Sequence, residues 1–243
     1  MLPKIDVPIY TIKLLSNKKE LRFRPFSVKE EKLFLMANES EELDAVVDTI
    51  KQILNNCILD DFDIDSLPMF DLEYLFLNIR ARSISELIDL KYKCNNKVTN
   101  EDGEEKTCGN IVEIQLNVLE IQPEKNESHS NKIEITDKVG MVMRYPNFNT
   151  MKKYQGKNEA EVILKLTADC IDYIYDGEQF YYASEAQPGE FLQWVEGLNQ
   201  KQFNKIEEFF NNLPELKETI EVTCSKCGYQ HKITVQGLEN FFG

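Results

Sequence analysis

The chain has 243 residues, enough for one large domain or two small ones with a real core. Hydrophobic residues make up 42% and charged residues 29%, which excludes wholesale disorder. A net charge of −14, with the basic residues scattered, argues against direct binding of nucleic acid or acidic lipid and favours protein partners.

The first residues lack the apolar core of a signal peptide, and no window approaches the roughly 20 apolar residues of a membrane span. The expectation is synthesis in a cytoplasm, where thiols stay reduced. The 6 cysteines then read as metal ligands plus core thiols, not as disulfides. In chain order, residues 9–14 and 20–24 alternate apolar and polar, the pattern of a β-hairpin with one buried face. Ser27 and Glu30 have the spacing of a capping box and predict a helix to about Asn38. Ser40 is placed to cap the next helix, whose stripe is Leu43, Val46, Val47, Ile50, Ile53, Leu54 and Cys57, with Cys57 a core thiol. Asp60, Asp61, Asp63 and Asp65 resemble the start of a calcium loop. Ser66 stands where that loop needs glycine, and Leu72 where it needs the bidentate glutamate. The segment is read as a solvated connection into a central helix over 69–82, with Ser66 as cap and Pro68 in the first turn.

Strands are predicted at 87–92 and 111–118, separated by a polar loop over 95–106. Residues 122–131 read as loop, with His129 solvated. Short strands follow at 132–135 and 139–144, then a helix over 159–175 that carries Cys170 on its apolar side. Asp176-Gly177 turns the chain into Phe180-Tyr181-Tyr182, and helices are expected at 189–198 and 200–211. Strands at 218–222 and 231–235 flank the last cysteine pair.

Cys224-x-x-Cys227-Gly228 between two strands is the signature of a zinc knuckle: a tight turn aims two thiolates at one ion, and glycine lets backbone donors approach the sulfurs. A redox dithiol would open a helix, whereas this chain continues as strand. Cys94 and Cys108 are the candidate second half. Both lie at strand ends, and Gly109 follows Cys108 as Gly228 follows Cys227. Four thiolates make a closed tetrahedral set for a structural Zn2+, with no open position for substrate; His231 is a less favoured substitute ligand. Little else suggests catalysis. There are 2 histidines, no G-x-S-x-G and no P-loop, and the pairs Asp71/Glu73 and Glu207/Glu208 are assigned to solvated helix faces. Phe241-Phe242 is assigned to the core, with docking on a neighbouring subunit of a homo-oligomer as the alternative.

The expected fold class is α+β. An N-terminal hairpin and helices fill 1–82, a zinc-ribbon-like β module combines 83–146 with 216–243, and a second helical region over 147–215 is inserted between them.

Several segments, in order, carry a resemblance. They are Leu21-Arg22-Phe23-Arg24-Pro25-Phe26-Ser27-Val28-Lys29-Glu30, Leu67-Pro68-Met69-Phe70-Asp71-Leu72, Ile174-Tyr175-Asp176-Gly177-Glu178, and the tail from Gln202-Phe203 through Cys224-Ser225-Lys226-Cys227-Gly228 to Phe241-Phe242. Together they resemble the T4-type phage baseplate protein family over nearly the whole chain. The resemblance implies a virion tail protein, either a hub subunit or a transient assembly chaperone of the hub, with other baseplate and tail proteins as partners. It implies no enzymatic activity and brings no catalytic residues. A thiol- or zinc-dependent enzyme is the reading from another class, disfavoured because the ligand set is closed.

Overall fold

The computed structural model describes residues 3, 5–39, 43–99, 103–127, 129–154 and 159–237. β1 (Tyr10–Lys13) and β2 (Glu20–Phe23) pair antiparallel, with Ile12 opposite Leu21. Their alternation buries Ile12, Leu21 and Phe23 on one face, as the sequence pattern requires. α1 (Val28–Asn38) opens on the expected capping box: the Glu30 carboxylate accepts from the Ser27 backbone N–H and hydroxyl. Glu30 also pairs with Arg24, whose guanidinium, ahead of the serine contacts, holds the carboxyl down at about 2. α2 (Leu43–Cys57) buries Val46, Val47, Ile50, Ile53, Leu54 and Cys57, the stripe read from the sequence. Ser40, its expected cap, lies outside the described residues.

A 3₁₀ turn at Ile64–Ser66 precedes α3 (Met69–Ser83), so Ser66 ends that turn three residues before the helix begins. α3 is buried on most sides, through Phe70, Leu72, Leu75, Phe76, Leu77 and Ile79 among others. Asp71 departs from its sequence reading. It is 0% exposed, and its two carboxylate oxygens accept from the backbone N–H groups of Leu15 (2.8 Å) and Ser16 (3.0 Å). A buried carboxylate is tolerated when it answers orphan donors, and here it anchors the turn after β1 to the central helix.

β3 (Leu87–Lys93) continues the chain. The polar stretch expected as loop contains a small hairpin of β4 (Lys97–Thr99) and β5 (Glu105–Thr107), with Lys97 opposite Thr107. β6 (Ile111–Asn117) then returns along β3 through seven registered pairs, from Lys93 opposite Ile111 to Leu87 opposite Asn117. β7 (Pro123–Glu124) ends this stretch.

Residues 125–214, with 65–69, form a second compact unit. β8 (Lys132–Glu134) and β9 (Val139–Met143) lead to α4 (Phe148–Tyr154) and α5 (Glu159–Cys170). β10 (Ile171–Asp176) and β11 (Gln179–Tyr182) follow, then α6 (Glu190–Glu196) and α7 (Gln200–Asn211). The helix expected over 159–175 therefore stops at Cys170. Ile171 and Ile174 fit a helical stripe, but they also belong to a β-branched and aromatic run that pairs with β9. The resulting antiparallel sheet has the order β11-β10-β9-β8, so the inserted region is a sheet with helices, not helices alone. Its core gathers Met141, Met143, Ile171, Ile174, Phe191 and Ile206. His129 belongs here too. It is 6% exposed, packed against Tyr145 and Phe209 in a cluster of three mutually touching rings, with Nε2 3.2 Å from the Tyr145 hydroxyl, and is not solvated.

β12 (Glu215–Thr223) and β13 (Gln230–Gln236) return to the first unit, where β12 lies between β7 and β13. Leu216 and Val235 from this ribbon join Ile88 and Val118 from the β3–β6 segment against Leu77 and Ala81 of α3. Two segments distant in sequence thus share one core, and their far ends carry the cysteines.

Candidate metal centre

The β12–β13 ribbon reverses through a knuckle. The Cys224 N–H donates to the Tyr229 carbonyl (2.9 Å), and the Gly228 N–H donates to the Cys224 carbonyl (2.9 Å). Gly228 has φ 70°, a left-handed conformation that a side chain would strain. The β3–β6 ribbon repeats this bonding. The Cys94 N–H donates to the Asn110 carbonyl (2.8 Å), the Gly109 N–H donates to the Cys94 carbonyl (3.0 Å), and Gly109 has φ 65°. The two halves are therefore the same knuckle. In the first, the β4–β5 hairpin is looped out between the cysteines and closed at its base by the Cys108 N–H on the Asn96 carbonyl (2.8 Å). That insertion explains the wide spacing of Cys94 and Cys108.

The knuckles bring all four sulfurs within 4.8 Å of one another. Cys94 Sγ lies 3.7 Å from Cys227 Sγ, and Cys108 Sγ lies 3.9 Å from Cys224 Sγ. A tetrahedron of zinc–thiolate bonds has sulfurs about 3.8 Å apart, so these four thiols can hold a metal ion and leave it no open position. Cys94, Cys108 and Cys224 are buried and Cys227 is half-buried.

Polar groups around the sulfurs favour thiolates on the second knuckle. The Cys227 backbone N–H leads the contacts that hold the Cys224 thiol below its ordinary range, helped by the Lys226 N–H and the Asn110 amide. The Tyr229 N–H does the same for Cys227. Burial pushes the Cys94 thiol up. Such a thiol gives up its proton when a cation takes its place.

Three neighbours complete the surroundings. Asn110 Nδ2 lies 3.5 Å from Cys224 Sγ and Asn96 Nδ2 lies 3.6 Å from Cys227 Sγ, so each asparagine reaches from the first knuckle to a sulfur of the second. The sequence reading missed both, although Cys-x-Asn occurs at each cysteine of the first half. His231 lies beside the group of four sulfurs: its Nε2 is 3.1 Å from Cys94 Sγ, and its ring packs edge-on against Tyr92 and Tyr229. With its proton on Nε2, His231 would donate to the Cys94 sulfur, orient it and steady its charge. Cys57 and Cys170 lie apart in apolar cores, where burial pushes their thiols up to about 11 and about 12.

A family model described as T4 bacteriophage base plate protein matches residues 7–243. The chain belongs to that family. No curated protein and no solved structure matches it. The match takes in both knuckles of this base plate protein and the region inserted between them. Membership supports a structural role in a phage base plate, with other tail proteins as partners and the virion tail as its place. Among the described residues, no helix is long and apolar enough to cross a membrane.

Proposed function

We propose that this base plate protein is a non-enzymatic subunit of the base plate hub, and that Cys94, Cys108, Cys224 and Cys227 hold one structural Zn2+. The observation that carries the metal assignment is the repeat of one knuckle geometry in two distant segments, with sulfurs at tetrahedral spacing. Family membership over residues 7–243 supports the tail role. A closed four-thiolate site contributes folding free energy on the order of 10 kcal/mol when metallated, and does so without a catalytic position. The chain's own part is to fix the two ribbons against α3 and so to present its surfaces in one arrangement. The net charge of −14 directs those surfaces toward basic patches on partners.

Quantitative mass spectrometry of finished, purified tails tests the subunit reading. A constant number of copies per tail is expected. Absence from finished tails, with assembly still dependent on the protein, would replace it with a transient assembly chaperone.

A further inference from the structure

The sheet of the second unit has two edges, and they are treated differently. At β8, Lys205 from α7 donates to the outward carbonyl of Glu134 (2.6 Å), which blunts that edge. β11 has no such cover. Its register with β10 pairs Ile174 with Tyr181 and Asp176 with Gln179, and the Ala183 N–H donates to the Asp172 carbonyl. By antiparallel alternation, the backbone groups of Phe180 and Tyr182 point away from the sheet. The Tyr182 carbonyl accepts from Glu185 and Ala186. The Phe180 N–H and C=O and the Tyr182 N–H have no partner among the described residues.

The side chains here are exposed as well: Phe180 by 51%, Tyr181 by 48% and Tyr182 by 45%. Phe180 and Tyr182 cluster with Tyr173 on one face. On the other face, Tyr181 borders a cavity of about 300 Å³ lined by Val139, Ile174, Phe191 and Trp194 together with Asp176 and Glu190. An added strand would therefore find three backbone partners, an aromatic surface for the side chains on one face, and an apolar cavity edged by carboxylates for those on the other.

Charge selects the occupant. From 166 to 200 the chain has seven acidic residues and no lysine or arginine. Asp176, Glu178, Glu185 and Glu190 flank β11 and form no ion pair among the described residues. A second copy pairing β11 with β11 would set these carboxylates against their own equivalents. We infer that β11 is a strand-addition site for an extended segment of another tail protein, one that alternates lysine or arginine with apolar residues. The inference rests on the reading that the chain acts by binding tail proteins, and it names the surface and the chemistry.

The test uses the full chain and a short, labelled, end-blocked peptide alternating lysine and valine, followed by fluorescence anisotropy. Phe180→Pro removes an outward N–H without removing a bond to β10. The double variant E178K/E185K leaves the backbone unchanged and reverses the local charge. Saturable binding to the wild type is expected, weakened about tenfold or more by either variant. The matching glutamate–valine peptide should not bind. Thermal midpoint and metal content serve as fold controls, and the charge variant decides if Phe180→Pro is misfolded. No binding of the lysine–valine peptide, or equal binding by both variants, would overturn the inference. So would a wild-type dimer in sedimentation that the β11 variants dissociate, since a second copy would then be the occupant. Neither result touches the hub reading, which is decided on finished tails without any peptide.

Discussion

Asp71 offers a perturbation whose size can be worked from the structure. Its carboxylate is fully buried in α3 and answers two backbone donors, Leu15 N–H at 2.8 Å and Ser16 N–H at 3.0 Å. Each hydrogen bond to a charged group contributes about 1.5–3 kcal/mol, and a donor left unanswered in the interior keeps its desolvation cost. Asp71→Ala removes both bonds and leaves a small void, which gives a loss of about 3–6 kcal/mol. Asp71→Asn keeps the shape but turns an amide N–H₂ toward one of the donors, for about 2–3 kcal/mol. Against a total of about 5–15 kcal/mol for a domain, the alanine variant should approach the folding threshold. Urea unfolding followed by far-UV circular dichroism gives the magnitude, and hydrogen exchange gives the location. The Leu15 and Ser16 amides should lose protection first in the asparagine variant. An unchanged urea midpoint with those amides still protected would refute the assignment of Asp71 as the anchor of the first hairpin.

Three further outcomes follow from named contacts. Acid should weaken the fold in two stages. The His129 ring is held below its usual 6.5, chiefly by burial and then by Lys125, so its contribution is full above that pH. That contribution fades as pH falls below 6.5, because the unfolded ring takes the proton first. Glu30 is lowered from 4.5 to about 2, so its contribution is full above pH 4.5 and is lost on the way down to about pH 2. After allowance for solvent screening, the Glu30 stage is about 2 kcal/mol. Thermal midpoints against pH check both: His129→Phe should flatten the first stage and Glu30→Gln the second. Gly140→Ala should destabilise the second unit by about 2 kcal/mol, because a Cβ there meets the Tyr175 ring and the Ile133 carbonyl, and a backbone atom cannot swing aside. A shift in urea midpoint reads this directly. Cys57 and Cys170, with thiols at about 11 and about 12, should resist alkylation until the protein unfolds, as peptide mapping after labelling would show.

The parts that were legible in the sequence are those encoded locally. The α2 stripe, the Ser27–Glu30 box and the Cys224-x-x-Cys227-Gly228 turn each state their geometry within one element. What escaped depends on partners far along the chain. Asp71 looks solvated until the turn at Leu15 and Ser16 folds onto it, and His129 until Tyr145 and Phe209 close around it. Ile171 and Ile174 satisfy both a helical and a strand period, and pairing with Met143 and Met141 decides between them. Cys94 and Cys108 are the less specific half in the sequence, because thirteen residues separate them. The β4–β5 pairing makes their distance in sequence irrelevant to their distance in space.

In the proposed clasp, four thiolates from two distant segments hold one metal ion. Elemental analysis of freshly purified, reduced protein, paired with native mass spectrometry, tests this most directly. One zinc per chain is expected, with loss of the ion and of the native fold in Cys224→Ser. A folded, reduced protein that carries no metal would contradict it.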